Sequence, residues 1–190
     1  MKRSVPIVPT LIVLIACAIM VRLGFWQIAR LHQKEAMLAQ YAAAEADRSV
    51  HRWPDGDKPP LPYSLVSATC AKVSRIAPQA GQNASHQAGW AQVAECAMAG
   101  GGTARVVLGW AAQPASVTWS GGAVTGTFVQ RDKGGPVIFA DPPLAGLQPN
   151  ARPDPRDVPN NHLAYAVQWF AFAGVALVIY VLALRKRLRG

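Results

Sequence analysis

The chain has 190 residues, 51% of them hydrophobic and only 15% charged, and its mean hydropathy of +0.14 is too high for an ordinary soluble domain. Its net charge of +9 suggests nucleic acid only until the bases are placed: Lys2, Arg3, Arg22, Arg185, Lys186, Arg187 and Arg189 sit beside two apolar runs with no acid among them. Residues 24–161 hold the other twelve bases and all ten acids, so the basicity marks membrane flanks and a nucleic-acid partner is excluded.

The first apolar run, residues 5–23, has Thr10 and Arg22 as its only clearly polar side chains and is near the ~20 residues that a spanning helix needs. A cleaved signal peptide would use Lys2 and Arg3 as its basic start. The run is longer than the ~7–15 apolar residues of such a segment and lacks a small-x-small cleavage site, which favours an uncleaved anchor. Helix formers then continue without Pro or Gly from Phe25, predicting a helix that leaves the membrane and ends near Ala46. The prolines of RWPDGDKPPLPY stop it, and Asp55 and Asp57 around Gly56 read as a turn rather than an acid/base pair.

Beyond Tyr63 the pattern becomes short runs between Gly, Pro and Asn: LVSATCAKV, GWAQVAECAM, TARVVLGWA, SVTW, AVTGTFVQ and PVIFA. These predict a meandering antiparallel sheet. The Pro-rich DPPLAGLQPNARPDPRDVPNN should return the chain to the membrane without regular structure. The second apolar run, residues 163–184, has Gln168 as its only strongly polar side chain and ends in RKRLR. The fold class expected is therefore an integral membrane α+β protein, with two transmembrane helices flanking an extramembrane antiparallel β domain. It divides into an anchor (1–23), a juxtamembrane helix (24–52), an extracytoplasmic β domain with its return loop (53–161), a second transmembrane helix (162–184) and a basic tail (185–190). Basic flanks keep both termini in the cytoplasm, and Trp26, Tyr165 and Trp169 then mark one outer interface. This suits a bacterial inner membrane with a periplasmic domain, or alternatively the mitochondrial inner membrane.

Cys17 lies within the first span and reads as a small packing residue. Cys70 and Cys96 fall in predicted strands on the oxidising side, where a disulfide is the expectation. A copper site with Met98 is the weaker alternative. The GGG at 100–102 lacks the Lys-Ser/Thr of a phosphate loop, and no nucleophile elbow or HExxH occurs, so no enzyme is expected. Asn83-Ala84-Ser85 matches a glycosylation sequon of the kind that arises by chance.

The distinctive residues cluster where the chain crosses the outer interface. In LGFWQIARLHQK, the four-residue spacing lets the Arg30 guanidinium lie over the Trp26 indole, and Gln27, Arg30 and Lys34 share a helical face. In PNNHLAYAVQWFAFA, Pro159 breaks the preceding chain, Asn160 or Asn161 caps the helix, and His162 falls in its first turn. The helix dipole there disfavours imidazolium. A neutral imidazole is the form that ligates a metal or haem iron, with Tyr165 and Trp169 as an aromatic wall. The plainer reading is a capping-turn histidine beside an aromatic belt.

LGxWQxxRxxxK at 23–34 and PNNHLxYAxxWF at 159–170 resemble the paired signatures of the Surfeit locus protein 1 (Shy-type) family of haem-copper oxidase assembly factors. The resemblance implies two spans around an outward-facing domain and a role, without catalysis, in building cytochrome c oxidase by presenting haem a to its catalytic subunit. It singles out Gly24, Trp26, Gln27, Arg30, Lys34, Pro159, Asn160, Asn161, His162, Leu163, Tyr165, Trp169 and Phe170. His162 becomes the candidate haem-iron ligand, held between the spans, with Trp26, Tyr165 and Trp169 as apolar walls and Arg30 and Lys34 as propionate partners. His32 is the reserve ligand. Expected partners are the oxidase catalytic subunit, the haem a synthesis machinery and membrane lipid. The family's Arg-Gly-Trp turn corresponds here to Leu108-Gly109-Trp110, without the cation. A membrane-anchored copper chaperone and a cofactor-free adaptor are the competing readings.

Overall fold

In a computed structural model, which describes residues 5–53, 60–131 and 134–189, the elements run α1 (Ile7–Ala46), β1 (His51–Arg52), β2 (Leu65–Gln82), β3 (Ala88–Met98), β4 (Thr103–Ala111), β5 (Gly122–Arg131), β6 (Gly135–Ala140) and α2 (His162–Arg189). The basic flank Lys2/Arg3 and the expected turn at Asp55–Asp57 lie outside the described residues. The chain forms two compact units, one of residues 1–37 with 159–190 and the other of residues 38–158.

The first unit is a pair of helices, both long and apolar enough to cross a membrane. Pro6 and Pro9 start α1 at no cost, because first-turn N–H groups lack helical partners anyway. The Pro6 carbonyl instead accepts from the Thr10 amide (3.1 Å) and hydroxyl (2.7 Å). The helices run antiparallel, as their contacts show. The Thr10 and Tyr180 hydroxyls hydrogen-bond, Cys17 Sγ donates to the Ala173 carbonyl (3.6 Å), and a Cβ on Gly24 would come within 2.6 Å of the Phe170 ring. On α1 these positions are spaced by seven. The half-buried Val13 and Met20 fall between them, and on α2 the buried Ala166 and Ala173 are also seven apart. This is the repeat of a helix pair whose small residues let backbones approach. The remaining surface exposes apolar side chains such as Ile7, Val8, Leu11, Phe172 and Ile179, as lipid-facing helices do.

The second unit is a barrel. Among the described residues the strand order is β1-β2-β3-β4-β6-β5, and β5 returns to pair with β2, so five strands close on themselves as in Greek-key barrels. The β2–β3, β3–β4, β2–β5 and β5–β6 pairings are antiparallel, as expected, whereas β1–β2 and β4–β6 are parallel. The meander thus closes with a crossover. The 18-residue β2 serves three partners, β5 through residues 65–70, β3 through 70–82 and β1 at residues 66–67. Pro78 is tolerated because β2 has no second partner there. Val66, Cys70, Ala94, Cys96, Val106, Leu108, Val124, Phe128 and Ile138 fill the interior, and a disulfide joins Cys70 to Cys96.

Three sequence expectations change. SVTW (116–119) forms no strand, although its alternation still turns Val117 and Trp119 onto the core. Helix α1 stops at Ala46, so the end of 24–52 is extended and contributes β1. Leu108-Gly109-Trp110 lies within β4, where the run TARVVLGWA predicts a strand, and not in the turn that the family resemblance implies. There Gly109 admits the return loop: a Cβ would sit 2.4 Å from Leu147 Cβ and 2.9 Å from the Gln148 carbonyl. Trp110 and Gln148 exchange backbone hydrogen bonds (2.7 and 3.1 Å). The sequon Asn83 is buried, its Oδ1 accepting from the Ser85 and Gln87 amides and its Nδ2 donating to Gln87 Oε1.

Candidate functional site

The two interfacial motifs meet in the helix pair. One turn past the Gly24–Phe170 contact, Gln27 projects from α1 toward His162, the first residue of α2, and His162 Nδ1 lies 2.7 Å from Gln27 Oε1. A carbonyl oxygen only accepts, so Nδ1 is the donor. In the neutral ring Nε2 is then left with its lone pair. A carbonyl-bound N–H is also the usual outer partner of a metal-ligating imidazole, fixing its tautomer and orientation. The motifs are further locked by Phe25, whose ring meets Phe170 edge-on at 5.4 Å.

Asn161 occupies the cap position, its carbonyl accepting the Tyr165 amide (3.2 Å). Asn160 does not cap with its side chain. Its Oδ1 is buried without a hydrogen-bond partner among the described residues, two residues from His162, and is an acceptor open to a donor group.

The remaining candidates separate. Trp169 and Lys34 are half-buried, and Trp169 meets Phe172 edge-on at 6.3 Å. Tyr165 (51% exposed) and Trp26 (52% exposed) face outward. Arg30 does not stack on Trp26 among the described residues; its Nη1 donates to Gln33 Oε1 (2.9 Å), the nearer hydrogen-bond acceptor on its own helix. His32 is exposed and, five residues beyond Gln27, is rotated well off the line that meets α2. The expectation of a cofactor between the spans does not fit a seam closed by Thr10–Tyr180, Cys17–Ala173 and Gly24–Phe170. The outer rim, with His162 and the exposed rings, is the accessible part.

His162 offers an imidazole nitrogen of the kind an axial ligand of a prosthetic group requires. Among the described residues no group of three or more His, Cys, Asp or Glu could hold a bare metal ion, and the disulfide occupies both outer thiols of the copper alternative. Sequence reasoning placed Gln27 on the face with Arg30 and Lys34 but missed it as the partner of His162. The signal was present in its position one turn beyond a glycine in the first motif.

Two antiparallel apolar helices that meet at a hydrogen-bonded histidine and flank a closed barrel in the chain define a membrane protein with a β domain. Residues 14–174 match the model of the SURF1 family, and the chain belongs to that family. It is a family of cytochrome oxidase assembly factors, not of enzymes. Comparison with curated proteins gave no match.

Proposed function

We propose that this chain assists assembly of a haem-copper oxidase by holding haem a at the outer rim of its helix pair and offering it to the catalytic subunit. The observation that carries this reading is the 2.7 Å contact between His162 Nδ1 and Gln27 Oε1. Gln27 holds the ring so that Nε2 points its lone pair away from α1, as an axial ligand requires. Tyr165 and Trp169 supply apolar faces beside it. Arg30 and Lys34, on the continuation of α1, supply cations for carboxylates, and guanidinium pairs with these in a planar fork. Bound haem would bring a ligand-accepting iron and two propionates.

The antiparallel order of the helix contacts brings the Arg185–Arg189 tail of α2 to the same side as the start of α1. A basic tail there favours termini in the cytoplasm and the barrel outside, in a bacterial inner membrane or, alternatively, a mitochondrial one. The synthesis machinery for haem a is the corresponding donor.

The protein purified from cells making haem a should show a Soret band that His162→Ala removes or shifts without lowering protein abundance. An unchanged spectrum returns His162 to a capping role, and a colourless, copper-loaded protein favours the chaperone reading. A deletion strain should lose part of its oxidase activity and haem a while other respiratory complexes stay nearly intact. Wild-type levels of both would refute the assembly role.

A further inference from the structure

The barrel carries a second site, separate from the helix pair. Behind the core-facing residues of β3, β4 and β6, those of opposite parity (Ala91, Val93, Val107, Val137) form their own buried apolar cluster with Phe139 packed on it. Above this floor is a cavity of about 230 Å³, walled by residues 79–82 of β2 and by Asn150 and Ala151 of the return loop. Arg105 and Arg131 also line it, with the Arg131 guanidinium 6.0 Å from the centre of the Phe139 ring.

Beside the Gln79 and Gln82 amides, the lining residues carry unpartnered groups of one kind. Arg105 Nε and Nη2 and Asn150 Nδ2 are buried without a hydrogen-bond partner among the described residues. Glu95, the cross-strand neighbour of Arg105, is engaged by Arg75 at 3.1 Å. Gly134 packs its backbone so closely on the guanidinium that a Cβ would lie 2.6 Å from Nη2. All three atoms only donate, and a buried donor left unpaired is costly. No acidic side chain lines the cavity among the described residues.

We infer that this cavity binds a small amphipathic carboxylate, its oxygens on Arg105 and Asn150, its charge shared with Arg131 and its apolar body on the Val107/Val137/Phe139 floor. Arginine matches a carboxylate in a bidentate fork, and the apolar floor selects against a bare inorganic anion. The volume is below the roughly 300–1,000 Å³ of pockets for drug-sized ligands, so a short acid fits and a porphyrin does not. The site therefore stands independently of the haem reading.

Calorimetric titration of the full chain in an uncharged detergent, corrected for empty micelles, tests it with hexanoate, hexanol, hexylamine and inorganic phosphate at matched ionic strength. Hexanoate should bind saturably at one site, at least tenfold more tightly than the other three. Arg105→Gln should weaken it at least tenfold, Arg131→Gln several-fold and His162→Ala not at all. Because Arg131 is exposed at the end of β5, its variant remains informative if Arg105→Gln does not fold. Absence of hexanoate binding, equal binding of hexanol or phosphate, or indifference to both arginine variants would overturn the proposal.

Discussion

The helix pair and the barrel place their apolar residues in opposite ways. In the barrel Val66, Val106, Leu108 and Ile138 are wholly buried, whereas the helix pair exposes Ile7, Val8, Phe25 and Ile179 and buries Gly24, Ala166 and Ala173. Water drives large aliphatic side chains inward. Lipid offers no such gain, and helices associate instead through close approach and a few polar contacts. The same residue types therefore read as core in one unit and as exterior in the other. A test that damages one organisation and spares the other measures how far the two are independent.

The largest such effect is expected from the disulfide. Replacing Cys70 and Cys96 by Ser opens a loop with a sequence separation of 26, at an expected cost of about 3 kcal/mol. The thermal midpoint of the barrel should fall by roughly 10 °C, followed through its tryptophans, while the helical signal persists. Simultaneous loss of helix and barrel would show a single cooperative unit.

The converse perturbation is Gly24→Leu. With Phe170 only 2.6 Å from a Cβ at this position, the helices must separate, at about 1–3 kcal/mol for overpacking. Cys17 donates to the Ala173 carbonyl, so oxidative cross-linking of Cys17 to an introduced Ala173→Cys reports the seam. Cross-linking should be efficient alone and fall sharply with Gly24→Leu, with the barrel midpoint unchanged. Gly109→Ala should act only on the barrel. The return loop must retreat to admit the added methyl, which would otherwise meet Leu147 Cβ and the Gln148 carbonyl, costing roughly 1–2 kcal/mol, and the amides of Trp110 and Gln148 should exchange hydrogen faster.

Much of this architecture is legible because it is local. The end of α1 at Ala46 follows from helix formers running into prolines, and the start of α2 follows from Pro159 before an apolar run. Strand existence follows from alternation, and Val117 and Trp119 show its limit: the period reports which way side chains face, not whether a ladder partner exists. The parallel β4–β6 pairing and the joint partnership of β2 with β3 and β5 depend on barrel closure, which no window of residues encodes. Gln27 and His162 are 135 residues apart, and their pairing needs the register of two helices separated in the chain by the whole barrel. Arg105, Arg131 and Asn150 are likewise brought together by three separate segments, so no motif marks them.

The smallest expected effect lies in the return loop and bears on the barrel alone. Asp154 caps the 3-10 turn Pro155–Asp157, its Oδ1 accepting the Arg156 amide at 2.8 Å, and its carboxylate also receives the Arg156 guanidinium at 2.6–3.0 Å. The guanidinium first, and the backbone amide second, hold its carboxyl below the ordinary 3.8. A carboxyl depressed in the folded state contributes stability that is present above its unfolded value and is lost as pH falls through the folded one. The contribution should therefore be intact at pH 5, begin to decline as pH falls towards 3.8, and vanish only below the depressed folded value. Because the pair is solvent-exposed the effect is small and screened by salt. The barrel midpoint of Asp154→Asn should lie slightly below wild type at pH 5 in low salt and converge with it as pH falls through the depressed folded value. A gap that persists unchanged into acid would mean that Asn caps the turn less well for geometric reasons, with charge playing no part.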